Sequence, residues 1–277
     1  AWGAAVPTET GRDTDAILRA AVDGSLAALV IGGVDPADLA DPTLATEALG
    51  RAGFIVSLEI RASAVTAHAD VVLPVAPPAE KAGRYVTWEG RRRPFDLTIA
   101  NTGAMSDGRV LHALAEELDV PLGLPSVAAA RDELVRLAPG TNRPAAPSVA
   151  AVAPDVPAKG EALLATWHEL IDAGRMQDGD EHLAGTAKPA RALLNVATAA
   201  EVGVVDGGSI AVATARGTLV LPVVIAELPD RVVWLPTNAR GCAVRATLGA
   251  TSGDIVTLTS PDAPPVLGAD AAAGGVS

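Results

Sequence analysis

The sequence predicts an α/β protein: a Rossmann-like domain with a doubly wound parallel sheet, followed by a compact β domain. In the first half, short continuous apolar runs alternate with segments of helical periodicity, the pattern of strands joined by helical crossovers. After about residue 189, strand-like segments follow one another closely, with a hairpin signal at Ala215-Arg216-Gly217. The 277 residues suit two domains.

The first helix and strand are marked by their ends. Asp13 or Thr14 can cap a helix that ends at Asp23-Gly24. The continuous apolar run Leu26–Ile31 is typical of a strand buried on both faces of a parallel sheet. A glycine turn then leads to the next helix.

The same alternation repeats down to about residue 125. TLATEALGRAG reads as a helix, FIVSLEI as a strand, SAVTAHA as a short helix or turn, and DVVLPV as another buried strand. DGRVLHALAEELDVPLG is an amphipathic helix on which His112 and Glu116 are expected to be solvated. Its expected apolar face consists of Val110, Leu111, Leu114 and Leu118.

The domain boundaries follow from changes in composition. Residues 1–137 form the α/β domain, residues 138–176 a Pro/Ala-rich linker with a helix in EALLATWHELIDAGRMQDG, and residues 177–277 the β domain with a loose tail. In the β domain, SIAVATARGTLVLPVVI, RVVWLP and DIVTLTS read as strands and Ala197–Val202 as a short helix.

Charge and composition exclude several classes of function. A net charge of −12 argues against nucleic-acid binding. Cys242 is the one cysteine and reads as a small buried hydrophobe, and the four histidines lack metal-ligand spacing. No apolar run approaches the roughly 18 residues of a membrane span. No catalytic set is recognisable, and the N-terminus suggests a piece of a longer chain.

Two segments after strands are candidate ligand contacts. Gly32-Gly33-Val34-Asp35-Pro36 could let backbone N–H groups approach an anion, although glycine there is also common simply as a turn. Glu59 ends a strand at the edge where nucleotide-type ligands bind. It could hold ribose hydroxyls or pair with Arg61.

An arginine-rich segment is the candidate interface. Its arginines outnumber its one acid, Glu89, by four to one in an acidic chain, and Trp88 can stack on a guanidinium. A solvated loop is the alternative to a partner contact. The predicted interface residues are Arg84, Trp88, Arg91, Arg92 and Arg93.

These motifs resemble the molybdopterin oxidoreductase superfamily. The resemblance rests on ADVVLP at Ala69–Pro74, followed by Glu80, Gly83 and Glu89-Gly90-Arg91. It also rests on LAALVIGGVDP and on the segment NVATAAEVGVVDGGSIAVATARGTLVLPVVI. Within it, SAVTAHADVVLPVAPPAEKAGRYVTWEGRRRPF and LIDAGRMQDGDEHLAGTAKPARALL are most similar to the C-terminal region of the G subunit family of NADH-quinone oxidoreductase, respiratory complex I.

The resemblance implies a fold for the β domain, and it implies the cofactors, partners and location of the whole subunit. The β domain would be a double-psi β-barrel related to molybdopterin-dinucleotide-binding domains. Iron–sulfur clusters would lie in the missing N-terminal part, and this segment would be a scaffold with no catalytic residue, metal or cofactor. Its partners would be other peripheral-arm subunits on the cytoplasmic side of the plasma membrane, with no membrane insertion and no nucleic acid.

Departures from the superfamily pattern agree with a lost cofactor. Asp35 stands where catalytic relatives have Asn, Gly83-Arg84 replaces Gly-Thr, and Thr87 replaces a later Asn. The alternative is a fragment of a molybdopterin-dependent oxidoreductase of the formate dehydrogenase or nitrate reductase type. In that case Gly33, Asp35 and Glu59 would hold the pterin nucleotide. A free-standing interaction module is a third interpretation.

Overall fold

The computed structural model describes residues 8–137 and 155–261. These fall into two compact units, residues 1–150 and 151–277. The predicted loose tail after Pro261, and residues 138–154 of the predicted linker, lie outside the described residues. Helices and strands in the first unit, and a closed barrel in the second, confirm the α/β class with a barrel.

A three-stranded parallel sheet organises the first unit. Strands β1 (Ala28–Gly32), β2 (Phe54–Glu59) and β3 (Val71–Pro74) lie in the order β1-β2-β3. Helix α1 (Thr14–Val22) precedes β1, and α2 (Pro42–Arg51) connects β1 to β2. Asp13, one of the two predicted caps, starts α1 through a side-chain hydrogen bond, and Asp41 caps α2 in the same way.

Helices α1 and α2 cover the same face of the sheet, here called the α1/α2 face. Leu29 packs there with Ala21 of α1 and Ala48 of α2. Ile55 of β2 packs there with Leu49 of α2. Strand alternation assigns the even-numbered residues of β1 and β2 to the opposite face.

The opposite face is covered only near the ends of β2 and β3 among the described residues. There Leu58 and Val75 pack against Val110 of α3 (Asp107–Glu117). Elsewhere on this face Val30 is 64% exposed and Phe54 44% exposed. The prediction that the first strand is buried on both faces is therefore wrong, as it is for β3, where Val71 and Val72 are exposed.

Helix α3 also corrects the predicted helix faces. His112 is buried, with Glu116 on its exposed side, so the expectation that both are solvated is wrong for His112. Leu111 and Leu118, predicted to be apolar-face residues, are exposed. The helix turns Val110 and His112 inward together, and this rotates Leu111 outward. A further helix, α4 (Val127–Arg136), was not predicted.

A β-hairpin follows the sheet in the first unit. Strands β4 (Gly83–Val86) and β5 (Arg92–Phe95) pair antiparallel. The arginine-rich segment, for which a solvated loop was the alternative to a partner contact, is therefore a pair of strands joined by a turn.

The second unit is a closed six-stranded barrel. Around the barrel the order is β10-β6-β13-β8-β9-β7. The strands are β6 (Glu161–Trp167), β7 (Ala192–Leu194), β8 (Ser209–Ala213), β9 (Thr218–Ile225), β10 (Val232–Pro236) and β13 (Ile255–Thr259). A short pair, β11 (Asn238–Ala239) and β12 (Cys242–Ala243), and helices α5 (Glu181–Ala184), α6 (Val196–Val202) and α7 (Val244–Leu248) complete the unit.

The barrel confirms the predicted hairpin and overturns one helix. β8 and β9 pair antiparallel on either side of the predicted turn, and α6 matches the predicted short helix. Residues 161–167, predicted to be helical, form β6 instead. Ala162 and Leu164 point into the core, while β10 and β13 supply backbone hydrogen bonds on both sides. This long-range pairing overrides the local helical preference of EALLATW.

Candidate functional site

Gly33 and Glu59, two of the predicted ligand residues, meet at the carboxyl edge of the parallel sheet. Gly33 adopts φ +63°, and its N–H donates to the carbonyl of Leu58 at 3.2 Å. Glu59 ends β2 beside it and is buried. Ligands of open α/β sheets bind outside this edge, so the structure brings these two residues to the expected place.

The aspartate that follows the glycine turn already caps a short helix. Asp35 precedes a 3₁₀ helix, Pro36–Asp38, and its Oδ1 accepts the N–H of Ala37 at 3.0 Å. A phosphate at this turn would need that N–H group and would meet a carboxylate instead. The turn therefore does not fit a phosphate.

Glu59 is tied to the loop that follows its strand. Its Oε1 accepts a hydrogen bond from Ser63 Oγ at 3.4 Å, and its carbonyl accepts the N–H of Val75 at 3.1 Å. These contacts join the end of β2 to the loop and to β3. A ligand role for Gly33, Asp35 or Glu59 stays a prediction.

The arginine-rich segment is a hairpin whose tip is held by backbone hydrogen bonds. The N–H of Thr87 donates to the carbonyl of Arg91 at 2.9 Å, and the N–H of Gly90 donates to the carbonyl of Thr87 at 2.8 Å. Trp88 sits in this turn and is 94% exposed. The turn thus presents a large aromatic side chain to solvent.

Pairing in the hairpin separates the predicted interface arginines. Tyr85 pairs with Arg93, and Val86 pairs with Arg92. Because side chains alternate along a strand, Arg92 and Arg84 lie on one face and Arg93 on the other. The structure keeps these arginines on one exposed hairpin without forming a single patch.

The base of the hairpin is anchored. Lys81 Nζ forms an ion pair with Asp107 Oδ2 of α3 at 2.8 Å. After β5, the N–H groups of Thr98 and Ile99 both donate to the carbonyl of Ala79 at 3.0 and 2.8 Å. The hairpin is therefore fixed at its base and exposed at its tip, a favourable form for a contact surface.

The second unit contains an open cavity of about 740 Å³, formed by the loop that leads into α5, by α5 itself and by Arg240. Carboxylates dominate its lining, and Arg240 is the one guanidinium in that lining. The charged and titratable lining residues are Asp172, Asp178, Asp180, Glu181, His182 and Arg240. No sequence motif marks this set, because neither its acidic residues nor His182 show metal-ligand spacing.

Cys242 is confirmed as a buried small residue. It is 1% exposed, and its thiol donates to the carbonyl of Pro236 at 3.2 Å. Burial raises its pKa to about 11. The thiol is therefore both buried and protonated at neutral pH. The described residues also contain no cluster of three or more His, Cys, Asp or Glu side chains that could hold a metal ion.

Comparison with known proteins connects both units to one family. Residues 168–274 match the family model described as Molydopterin dinucleotide binding domain. The G subunit of NADH-quinone oxidoreductase from Mycobacterium tuberculosis is 49% identical over 93% of this chain, and that from Streptomyces coelicolor is 48% identical over 93%. The chain is a homologue of the NADH-quinone oxidoreductase G subunit. It spans about a third of the length of these relatives, 33% and 31%.

The fold of this G subunit homologue also resembles a solved structure. Acetylene hydratase from Pelobacter acetylenicus superposes with a TM-score of 0.53 over 80% of this chain and 38% of that chain, at 16% identity. At this identity the likeness concerns the fold alone.

The barrel cavity of the G subunit homologue fits an anionic dinucleotide poorly. Four carboxylates line it against one arginine and a histidine. A diphosphate would meet like charges there, which disfavours binding. Neither the glycine turn nor this cavity therefore offers a favourable site for the phosphates of a dinucleotide.

Proposed function

We propose that this chain is a non-catalytic scaffold segment of the G subunit in a respiratory NADH-quinone oxidoreductase. The observation that carries the proposal is the 49% identity over 93% of the chain to a relative of that name. The poor fit of a dinucleotide to the carboxylates at Asp35 and in the barrel cavity supports a structural role.

The rest of such a subunit would carry the electron-transfer chemistry. Iron–sulfur clusters would be bound by the part of the longer polypeptide that lies outside this chain, and the whole complex would pass electrons from NADH to quinone. The segment would lie in the peripheral arm, on the cytoplasmic side of the membrane. Within the described ranges, no helix is both long and apolar enough to cross a bilayer.

The hairpin is the proposed contact with the rest of the complex. Its tip residue Trp88 and its arginines are exposed, and its base is anchored through Lys81. Arginine and tryptophan are the residue types that most often dominate binding energy at interfaces. The proposed contact residues are Arg84, Trp88, Arg91, Arg92 and Arg93.

The proposal extends to the fold subtypes. The parallel order β1-β2-β3, with α2 crossing from β1 to β2 on one face and α3 packing on part of the other, supports a Rossmann-like, doubly wound sheet. Parallel pairing of β6 with β10 and of β7 with β9, inside an otherwise antiparallel barrel, supports the double-psi type.

Metal and pterin analysis of the purified full-length protein tests the function. The proposal expects iron and sulfide, with neither molybdenum nor tungsten and no pterin. A stoichiometric pterin with molybdenum or tungsten would instead establish the alternative of a molybdopterin-dependent oxidoreductase. The same sample, mixed with the other subunits, should restore NADH-dependent quinone reduction.

Charge reversal on the hairpin tests the contact separately. Replacing Arg91, Arg92 and Arg93 by glutamate should weaken assembly of the complex while leaving the iron content of the isolated subunit unchanged. The matched control reverses Arg12, Arg131 and Arg136, which also lie in the first unit away from the hairpin. Normal assembly and normal quinone reduction in the hairpin variant would remove the contact from the proposal.

A further inference from the structure

Strand β1 leaves one side of the parallel sheet open among the described residues. It pairs with β2 only, and Val30 at its centre is 64% exposed. Purely parallel sheets are normally covered and their strands buried, because helical crossovers lie on their faces. The described residues around β1 therefore leave apolar surface of this strand exposed.

The N–H groups on the open side can be assigned. The N–H of Gly33 donates to the carbonyl of Leu58 in β2. In a parallel strand the direction of the N–H groups alternates along the chain. The N–H groups of Val30 and Gly32 thus point away from β2, towards the open side.

The position of α1 indicates what pairs there. Helix α2 carries the chain from β1 to β2 over the α1/α2 face, and right-handed crossovers over one face always step across the sheet in the same direction. Helix α1 packs on that same face, against α2 and Leu29. A parallel strand that connects to β1 through α1 would therefore lie next to β1 on the side away from β2, which is the open side.

A cavity beside β1 has the size and character to receive side chains of that strand. It measures about 260 Å³ and lies between α1, β1 and α2. Apolar residues line it, among them Ile17 of α1, Leu29 and Ile31 of β1, and Leu49 of α2. Ile17 is still 36% exposed, although it faces this apolar cavity.

We infer that the open side of β1 binds a parallel strand from the same polypeptide, located before α1. The relatives are about three times as long as this chain, so a longer polypeptide has residues available for it. This inference uses the proposed function only in assuming the longer polypeptide. It does not depend on any role of the hairpin or on the absence of a pterin.

Residue-resolved hydrogen exchange on the full-length subunit tests the inference. The amides of Val30 and Gly32 should exchange at least about a hundredfold more slowly than free amides, as do the β2-bonded amides of Leu29 and Ile31. Protection at Leu29 and Ile31 with fast exchange at Val30 and Gly32 would show an open edge and overturn the inference. This measurement needs no substitution, so a folding defect cannot confuse it.

Photo-crosslinking identifies the occupant. A benzoylphenylalanine in place of Val30 should form an adduct with residues that precede Thr14 in the same polypeptide. The matched control places the same group at Val220, which is 56% exposed on barrel strand β9, and should give no such adduct. An adduct of position 30 with a second copy or with another subunit, and none within the chain, would overturn the inference. Intact assembly in the same preparation separates that result from failure of the proposed function.

Discussion

The ring of Phe95 lies directly against the backbone of Gly83, its cross-strand partner in the hairpin. A Cβ built at position 83 would overlap the ring. Tyr85 stacks on the same ring, with centroids 5.1 Å apart and the planes at 29°. Glycine at position 83 is thus required by contact with the ring and not by a special backbone angle.

Gly83→Ala should therefore destabilise the hairpin. The new methyl group displaces Phe95 and weakens its stack with Tyr85, at a cost of about 1–3 kcal/mol for overpacking. Local hydrogen exchange of β4 and β5 should rise, and the unfolding midpoint should fall. Gly108→Ala in α3 is the control, because nothing lies within 4 Å of its added Cβ and alanine favours a helix. Equal effects of the two substitutions would contradict the proposed packing.

Trp88→Ala should weaken assembly without affecting folding. The side chain is 94% exposed, so its removal should leave the unfolding midpoint unchanged. As the tip of a docked hairpin it should contribute about 2 kcal/mol, near a thirtyfold loss of affinity. Titration of variants of the full-length protein into the remaining subunits measures this. Met176→Ala, at a site 97% exposed in the second unit, should have no effect. If it weakens assembly as much as Trp88→Ala, Trp88 has no special role.

The two faces of the hairpin should contribute unequally. A docked hairpin buries one face more than the other, and Arg84 and Arg92 lie opposite Arg93. We expect the double variant Arg84→Glu/Arg92→Glu and the double variant Arg91→Glu/Arg93→Glu to differ from each other by at least about tenfold in assembly affinity. The salt dependence of assembly should fall most in the variant with the larger loss. Identical losses would indicate general electrostatic attraction to the hairpin instead of a docked face.

The sequence predicted the elements whose signals are local. Asp13, a predicted cap, accepts the N–H of Ala16 at the start of α1. The β8–β9 hairpin forms around a glycine turn. Caps and tight turns involve residues within a few positions of one another, so their physical cause is visible in the sequence.

The errors arose where distant residues decide the structure. Strand β6 depends on pairing with β10 and β13, which lie far along the chain, and EALLATW alone does not show it. The burial of His112 depends on how α3 meets the sheet. The β4–β5 hairpin was missed because GRYV and RRPF do not alternate apolar and polar residues. The acidic cavity is assembled from a loop and α5 and has no sequence motif.

Glu201 should make the barrel sensitive to acid. Its carboxylate accepts the N–H of Gly160 at 2.9 Å and two N–H groups of Arg231 at 3.1 and 3.2 Å. The Gly160 hydrogen bond, and then Arg231, lower the pKa of Glu201. A lowered folded-state pKa stabilises the fold above the unfolded value of about 4.3. This stabilisation is lost as the pH falls through the lower folded value.

Thermal unfolding at several pH values checks this sign. Glu201→Gln should lower the unfolding temperature of the barrel at pH 7, and the difference from the unmodified protein should shrink as the pH falls below about 4. Glu227→Gln, on the same unit, should show little difference at either pH. A gap for Glu201→Gln that is constant with pH would mean that the charge of Glu201 does not contribute.

Cys242 should react with thiol reagents only when the barrel opens. Burial raises its pKa to about 11, so at pH 8 only about 0.1% of it is thiolate, and the residue is 1% exposed. Labelling with a disulfide reagent at pH 8 should be at least about a thousandfold slower than in denaturant. Raising the pH from 8 to 9 should speed native and denatured labelling by a similar factor, because the thiol reacts from the opened state with its ordinary pKa of about 8.5. Fast native labelling would show that the thiol is accessible in the folded barrel, and would contradict its burial.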